Sequence, residues 1–190
     1  MRLNKSKLAV LAALNICAAG GAYPQNAIDK LQPLVETSAQ RLVIAEQVAL
    51  AKWESGRPVE DVPREAQVIV SAIKVGESRG LEQAAVSNFF RAQIEANKLV
   101  QYSLLAKWRR VGQAPDHTPV NLAETTRPQL DQLETALIVE LAETAGIRAS
   151  ASCRTDVAKA VGKYVSAHKS KFSPVRAIAL DRALAASCTS

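Results

Sequence analysis

The chain has 190 residues, 48% of them hydrophobic and 22% charged, a composition that supports a buried core and excludes a disordered chain. Its formal charge is +6 with only 4% aromatic residues, so the basic stripe interleaved with aromatics that a nucleic-acid surface needs is missing. Ala, Leu, Glu, Gln and Lys dominate and alternating β-branched runs are scarce, so an all-α single domain is expected.

The chain opens on a basic "MRLNKSK" followed by the apolar "LAVLAALNICAAGGA" ending in small residues. That is the pattern of a cleaved secretory signal peptide over residues 1–22, which sends the mature domain, residues 23–190, to the periplasm or outside the cell. Asn15 and Gly20-Gly21 interrupt the run, which is shorter than the ~20 residues a membrane span needs. No membrane association is expected after cleavage. Cys17 is not read as a lipid attachment point, because the preceding Ile16 is bulky. The leader holds Arg2, Lys5 and Lys7 and no acid, so its loss lowers the formal charge from +6 to +3.

Six helices are expected in the mature chain. The first runs from Asn26 to Trp53 and ends at the turn-rich "ESGRPVEDVP". Asp61 caps a second helix, with Pro63 in its first turn, and Gly80 stops it after Arg79. A third helix from Leu81 to Val111 is long for a globular protein, with Gly112 behind it. "KWRR", Lys107 to Arg110, is the one tight basic cluster and lies at that helix's C-terminal end, where cations favour the macrodipole. After the linker "GQAPDHTP", Asn121 and Glu124 form a capping-box-like start to a fourth helix ending at Gly146. The fifth and sixth span Ser152–Lys169 and Pro174–Ser187. The first three helices, over 26–111, are expected to form a catalytic core, with C-terminal helices over 121–188.

Export leaves two cysteines, Cys153 and Cys188. In an oxidising compartment they read as one disulfide stapling the last two helices. Closing that loop is worth roughly 3–4 kcal/mol on the chain-entropy model. No thiol then remains as a nucleophile. The two histidines, His117 and His168, lie in a linker and near a helix end and read as solvated, which disfavours His-based triads and His-rich metal sites. No metal or cofactor is expected.

What is left for chemistry is cations and amides. In "RLVIAEQVALAKW", Arg41 and Lys52 stand at the ends of a mostly apolar stretch in which Glu46 is the only other charge. At about 100° per residue, eleven steps return Lys52 to within about 20° of Arg41. Two like charges on one apolar face call for an anion between them. Arg64 opens the second helix, Asn97 and Gln101 share a face of the third at i,i+4, and Arg127 lies early in the fourth. Taken singly, each has an ordinary explanation as a solvated charge or a mild helix pair.

Taken in order they carry a resemblance. Arg41, then Lys52-Trp53, then Arg64 twelve residues on, then a polar pair before Tyr102 on a long third helix: with "DVPREAQ", "QIEANKLVQYS" and "TTRPQLDQL", this order and spacing resembles the all-helical chorismate mutases (AroQ type). The leader, the additional C-terminal helices and the late cysteine pair resemble their secreted, monofunctional gamma subclass. The resemblance spans essentially the whole mature chain.

It implies an isomerase that converts the dianion chorismate to prephenate by a [3,3] rearrangement. The chair-like transition state gathers negative charge on the ether oxygen and needs neither a nucleophile nor a proton transfer. It assigns Arg41, Arg64 and Arg127 to the carboxylates, for which the guanidinium fork is suited. Lys52 and Gln101 would donate to the ether oxygen, and Asn97 would orient a carboxylate or ring substituent. Asp61 would meet the substrate hydroxyl, beside its equally good explanation as a helix cap. The family also implies a homodimer with each active site within one chain. Some members of the subclass carry Glu where this chain has Gln101. An amide donates at every pH, so a flat kcat/KM from about pH 5 to 9 is expected here. The competing expectation is a non-enzymatic helical envelope adaptor or chaperone, in which Arg41, Lys52 and Arg64 would be exposed and would not converge.

Overall fold

The structure, a computed structural model, describes residues 26–170 and 172–189. The expected leader and Cys17 lie outside the described residues. Among the described residues there is no strand, and no helix is long and apolar enough to cross a membrane.

Helix α1 (Ala27–Ser55) begins where Asn26 Oδ1 accepts from the Asp29 amide at 2.9 Å and ends at Gly56 with φ 66°. That is the left-handed conformation glycine adopts at least cost. α2 (Val62–Glu77) starts at the expected cap, Asp61, whose side chain accepts from the Arg64 amide at 3.2 Å. α3 (Gln83–Val111) has 29 residues, about 44 Å of axis. Gly112, at φ 87°, closes it with an amide hydrogen bond to Trp108 O at 2.8 Å.

The expected fourth helix is not continuous. Asn121 caps a π-helical turn, Leu122–Thr126, and α4 (Arg127–Glu143) follows it directly. Pro128 has no N–H to give the Glu124 carbonyl, so the α ladder lacks a rung at this point, which favours a change of winding there. At the other end the Thr144 hydroxyl bonds back to Glu140 O at 2.6 Å, and Thr144 leaves the helical conformation at φ −99°, ψ 10°. A separate short helix, α5 (Ala145–Arg148), is the result. α6 (Cys153–Ala167) and α7 (Pro174–Leu184) match the last two expected helices with frayed ends trimmed, and Ser173 caps α7 as expected.

α1 is the hub, packing on α3, α4, α6 and α7, while α2 closes over α3 and α4. Leu34 and Leu42 of α1, Phe89 and Phe90 of α3, Ile138 of α4 and Leu180 of α7 are among the fully buried side chains of the core. Burying each stabilises the fold by about 1.5–3 kcal/mol. A smaller cluster lies at the far end of α1, where Trp53 meets Trp108 edge-on at 6.1 Å and Val120 packs in. His117 Nε2 reaches Glu54 Oε1 at 2.9 Å. These contacts hold the 112–121 linker against α1 and deliver the π-helical turn to the middle of the bundle.

Cys153 and Cys188 are bonded, with Cα atoms 5.9 Å apart. The bridge joins the first turn of α6 to the tail after α7. Arg148, buried with no ion-pair partner among the described residues, holds the same tail by donating to Ser187 O at 2.6 Å, and also donates to Leu141 O at 2.9 Å. Reducing the disulfide in the mature chain is expected to lower the melting temperature while leaving turnover of the folded protein unchanged. Thiol titration of the unfolded, unreduced mature chain should find almost none; two titratable thiols would contradict the bridge.

Candidate active site

The apolar stripe of α1 does not face the core along its whole length. Between Arg41 and Lys52 it forms one wall of a cavity of about 140 Å³. α2 gives a second wall through Arg64 and Val68, α3 a third through Ile94, Asn97 and Gln101. The π-helical turn and α4 complete it with Thr126, Arg127 and Leu130. All seven residues singled out in the sequence line this one cavity: Arg41, Lys52, Asp61, Arg64, Asn97, Gln101 and Arg127.

Arg41 is only 5% exposed. Its guanidinium lies 5.9 Å from the Phe90 ring centroid, Nη1 donates weakly to Leu130 O at 3.4 Å, and Nε has no partner. Burial lowers its pKa to about 10, opposed by the charges of Glu134 and Asp131. A buried guanidinium with an unused donor is costly in isolation. An anion in the cavity would relieve that cost.

Lys52 is half-buried and its Nζ donates to Val59 O. Burial lowers its pKa as well, against the nearby charges of Asp61, Glu65 and Glu60. The loop from Gly56 to Asp61 therefore folds back over the ammonium and aims it inward. Arg64 pairs with Asp131 at 3.2 Å, and Arg127 stands exposed at the rim.

The amide pair forms a relay of fixed direction. Asn97 Nδ2 donates to the Arg41 carbonyl at 2.9 Å, which turns Asn97 Oδ1 toward Gln101, whose Nε2 donates to it at 2.7 Å. The carbonyl can accept only, so the relay admits one orientation of each amide. Gln101 is 4% exposed and keeps a second N–H, while its Oε1 has no partner.

Several lining residues escaped the sequence reading. Asp131 and Glu134 follow Arg127 at i+4 and i+7, so one helical stripe of α4 carries all three into the cavity. That spacing was a readable signal. Glu65 and Lys98, paired at 3.4 Å, sit one residue after Arg64 and Asn97. Val59 had no signal, since only the folded loop brings its carbonyl to Lys52. Among the described residues, no three His, Cys, Asp or Glu side chains gather where one metal ion could be held.

This arrangement has relatives. Residues 26–102, spanning most of α1 to α3, match the family model "Chorismate mutase type II". The secreted chorismate mutase of Mycolicibacterium smegmatis is 32% identical over 158 residues, which cover 83% of this chain and 86% of that one. This chain belongs to the type II chorismate mutase family. Among solved structures, the chorismate mutase from Burkholderia phymatum is 42% identical, with a TM-score of 0.82 over 86% of this chain and 99% of that one. The chorismate mutase from Burkholderia thailandensis is 34% identical, with a TM-score of 0.79 over 84% and 99%. In this chain, α1, α2, α3, the π-helical turn, α4 and the loop before α2 together supply the cavity.

Proposed function

We propose that this chorismate mutase rearranges chorismate to prephenate in the cavity between α1, α2, α3 and α4. The observation that carries the reading is Arg41: a buried guanidinium with an unpartnered Nε, sharing one cavity with Lys52, Arg64, Gln101 and Arg127. An envelope adaptor would have no use for a buried, unsatisfied cation, and Arg41 is neither exposed nor isolated from the others.

The chemistry required is placement and charge. Arg41, Arg64 and Arg127 hold the two carboxylates in the compact conformer. Bringing the reacting carbons together in advance removes much of the entropic part of the barrier. Lys52 Nζ and the free N–H of Gln101 donate to the ether oxygen as the C–O bond breaks, where preorganised donors act most strongly because the apolar walls keep the local dielectric low. Asn97 fixes the amide of Gln101 through the relay and keeps a second Nδ2–H with which to orient a carboxylate or ring substituent. Asp61 meets the substrate hydroxyl while also capping α2. No proton moves and no cofactor takes part.

The likeness to secreted relatives and the leader pattern support a periplasmic or secreted location. The family further implies a homodimer with each active site within one chain, and the single-chain origin of all seven residues supports the second half of that statement. The test is direct conversion: the purified mature chain, given chorismate, should yield prephenate as followed by proton NMR. A folded chain that left chorismate unchanged would contradict the proposal.

A further inference from the structure

Five cations and four acids line the cleft. With all of them ionised the empty cleft carries one net positive charge, and a dianion entering it would leave the cleft one negative charge in excess. Three of the acids are engaged with their surroundings. Asp61 caps α2, Glu65 accepts from Lys98 and from the Asp61 amide, and Asp131 pairs with Arg64. The fourth, Glu134, is only 6% exposed and is not part of the cleft's ion pairs, Arg64–Asp131 and Lys98–Glu65.

We propose that Glu134 couples substrate binding to proton uptake, so that the cleft holds the dianion with Glu134 neutral. The inference rests on the proposed function of the cleft and adds a group that the rearrangement itself does not use.

The surroundings of Glu134 explain why it is the acid that yields. From α1 it faces Arg41, from α2 Arg64 and the hydrogen-bonding Ser71, and along α4 Asp131. Burial, helped by the Asp131 charge, holds its carboxyl above the usual carboxylate range, while Ser71, Arg41 and Arg64 pull the other way. A substrate carboxylate on Arg41 and Arg64 takes up the positive charge that keeps Glu134 ionised, and adds negative charge beside it. Both changes favour the protonated carboxyl. The proton comes from solvent, and the neutral carboxyl can donate to Ser71 in place of accepting. Binding therefore weakens as pH rises above the carboxyl's value in the empty cleft, by up to about tenfold per pH unit while one full proton is taken up.

Titration calorimetry with prephenate as the probe reads this without relying on turnover. Binding to the mature chain is measured between pH 5.5 and 8 in buffers of low and high ionisation enthalpy, and the difference gives the protons taken up. The wild-type protein is expected to take up about half to one proton per prephenate over part of this range, with Kd rising as pH rises. The isosteric Glu134→Gln variant should take up none and bind with a pH-independent Kd. Binding by wild type without proton uptake would overturn the inference alone, as would equal uptake by the variant. No binding of prephenate at any pH would overturn the proposed function and this inference together.

Discussion

Lys52→Ala is expected to lower kcat by about 10²–10³-fold, the usual loss when one preorganised donor to a developing oxyanion is removed. The ammonium hangs from the last turn of α1 and is aimed by Val59 O, so its loss removes charge from the cavity without touching the core. Arg41 gives the sharper companion experiment because it separates function from folding. Arg41→Met fills the same buried space with apolar atoms. It removes a guanidinium whose Nε has no partner and whose pKa burial has lowered to about 10. Apolar atoms of similar volume spare the desolvation of a buried charge that makes no ion pair of its own, and Glu134 can take up a proton when Arg41 is gone. Urea unfolding should find the variant at least as stable as wild type, while kcat/KM falls by at least about 10²-fold. An active Lys52→Ala protein, or an Arg41→Met protein that lost stability and kept its turnover, would contradict the assignment.

Gln101→Glu is expected to make turnover depend on pH. In wild type the donors to the ether oxygen are an amide and an ammonium. Burial lowers the pKa of Lys52 but three nearby acids oppose that shift. kcat should therefore be flat from about pH 5 to 8. In the variant an ionised carboxylate would lose the donor and repel the charge growing on the ether oxygen. It would also face Asn97 Oδ1, which is held in place by the Arg41 carbonyl and can only accept. The new carboxyl would work only when protonated, so kcat should fall as pH rises through its titration. The sequence alone led to a flat profile for kcat/KM in wild type. The buried Glu134 changes that expectation, because it places the pH dependence of wild type in KM and leaves kcat level. The two carboxyls are thus distinguished by which constant they move. A kcat profile for the Gln101→Glu protein as flat as that of wild type would show that position 101 does not face the breaking bond.

The helices were largely legible because their limits are set by local chemistry. Asn26, Asp61 and Ser173 cap where an unpaired amide needs an acceptor, and Gly112 stops α3 by taking a left-handed conformation. The break before α4 was legible only as a hint, since Pro128 removes one rung of the ladder as Pro33 does inside α1, and the Asn121–Glu124 pattern reads as an ordinary helix start. Thr144 was harder, because a threonine ends a helix only when its hydroxyl turns back to the chain, and that choice depends on packing around it.

At the site, helical phase was enough to place Arg41 with Lys52 and Asn97 with Gln101. Order and spacing along the chain linked them to Arg64 and Arg127. What phase could not give was how side chains across the cavity share charge. Glu134 reads as one more acid on an exposed-looking helix until α2 covers it. The pairing of Arg64 with Asp131 depends on α2 crossing α4 at one particular height. Asn97 shows the same limit from the other side: its place was legible, but that both ends of its amide are used within the protein depends on the Arg41 carbonyl lying opposite.

The measurement that reaches the central claim most directly is the proton NMR spectrum of chorismate incubated in D₂O with the mature chain. A cavity that works by conformer selection and donors on the ether oxygen should give prephenate alone. Every hydrogen on the ring carbons should be retained, because a [3,3] rearrangement breaks no C–H bond. Unchanged chorismate, deuterium at a ring carbon, or release of pyruvate would contradict the account, the last because it would mean that the C–O bond breaks without the new C–C bond forming.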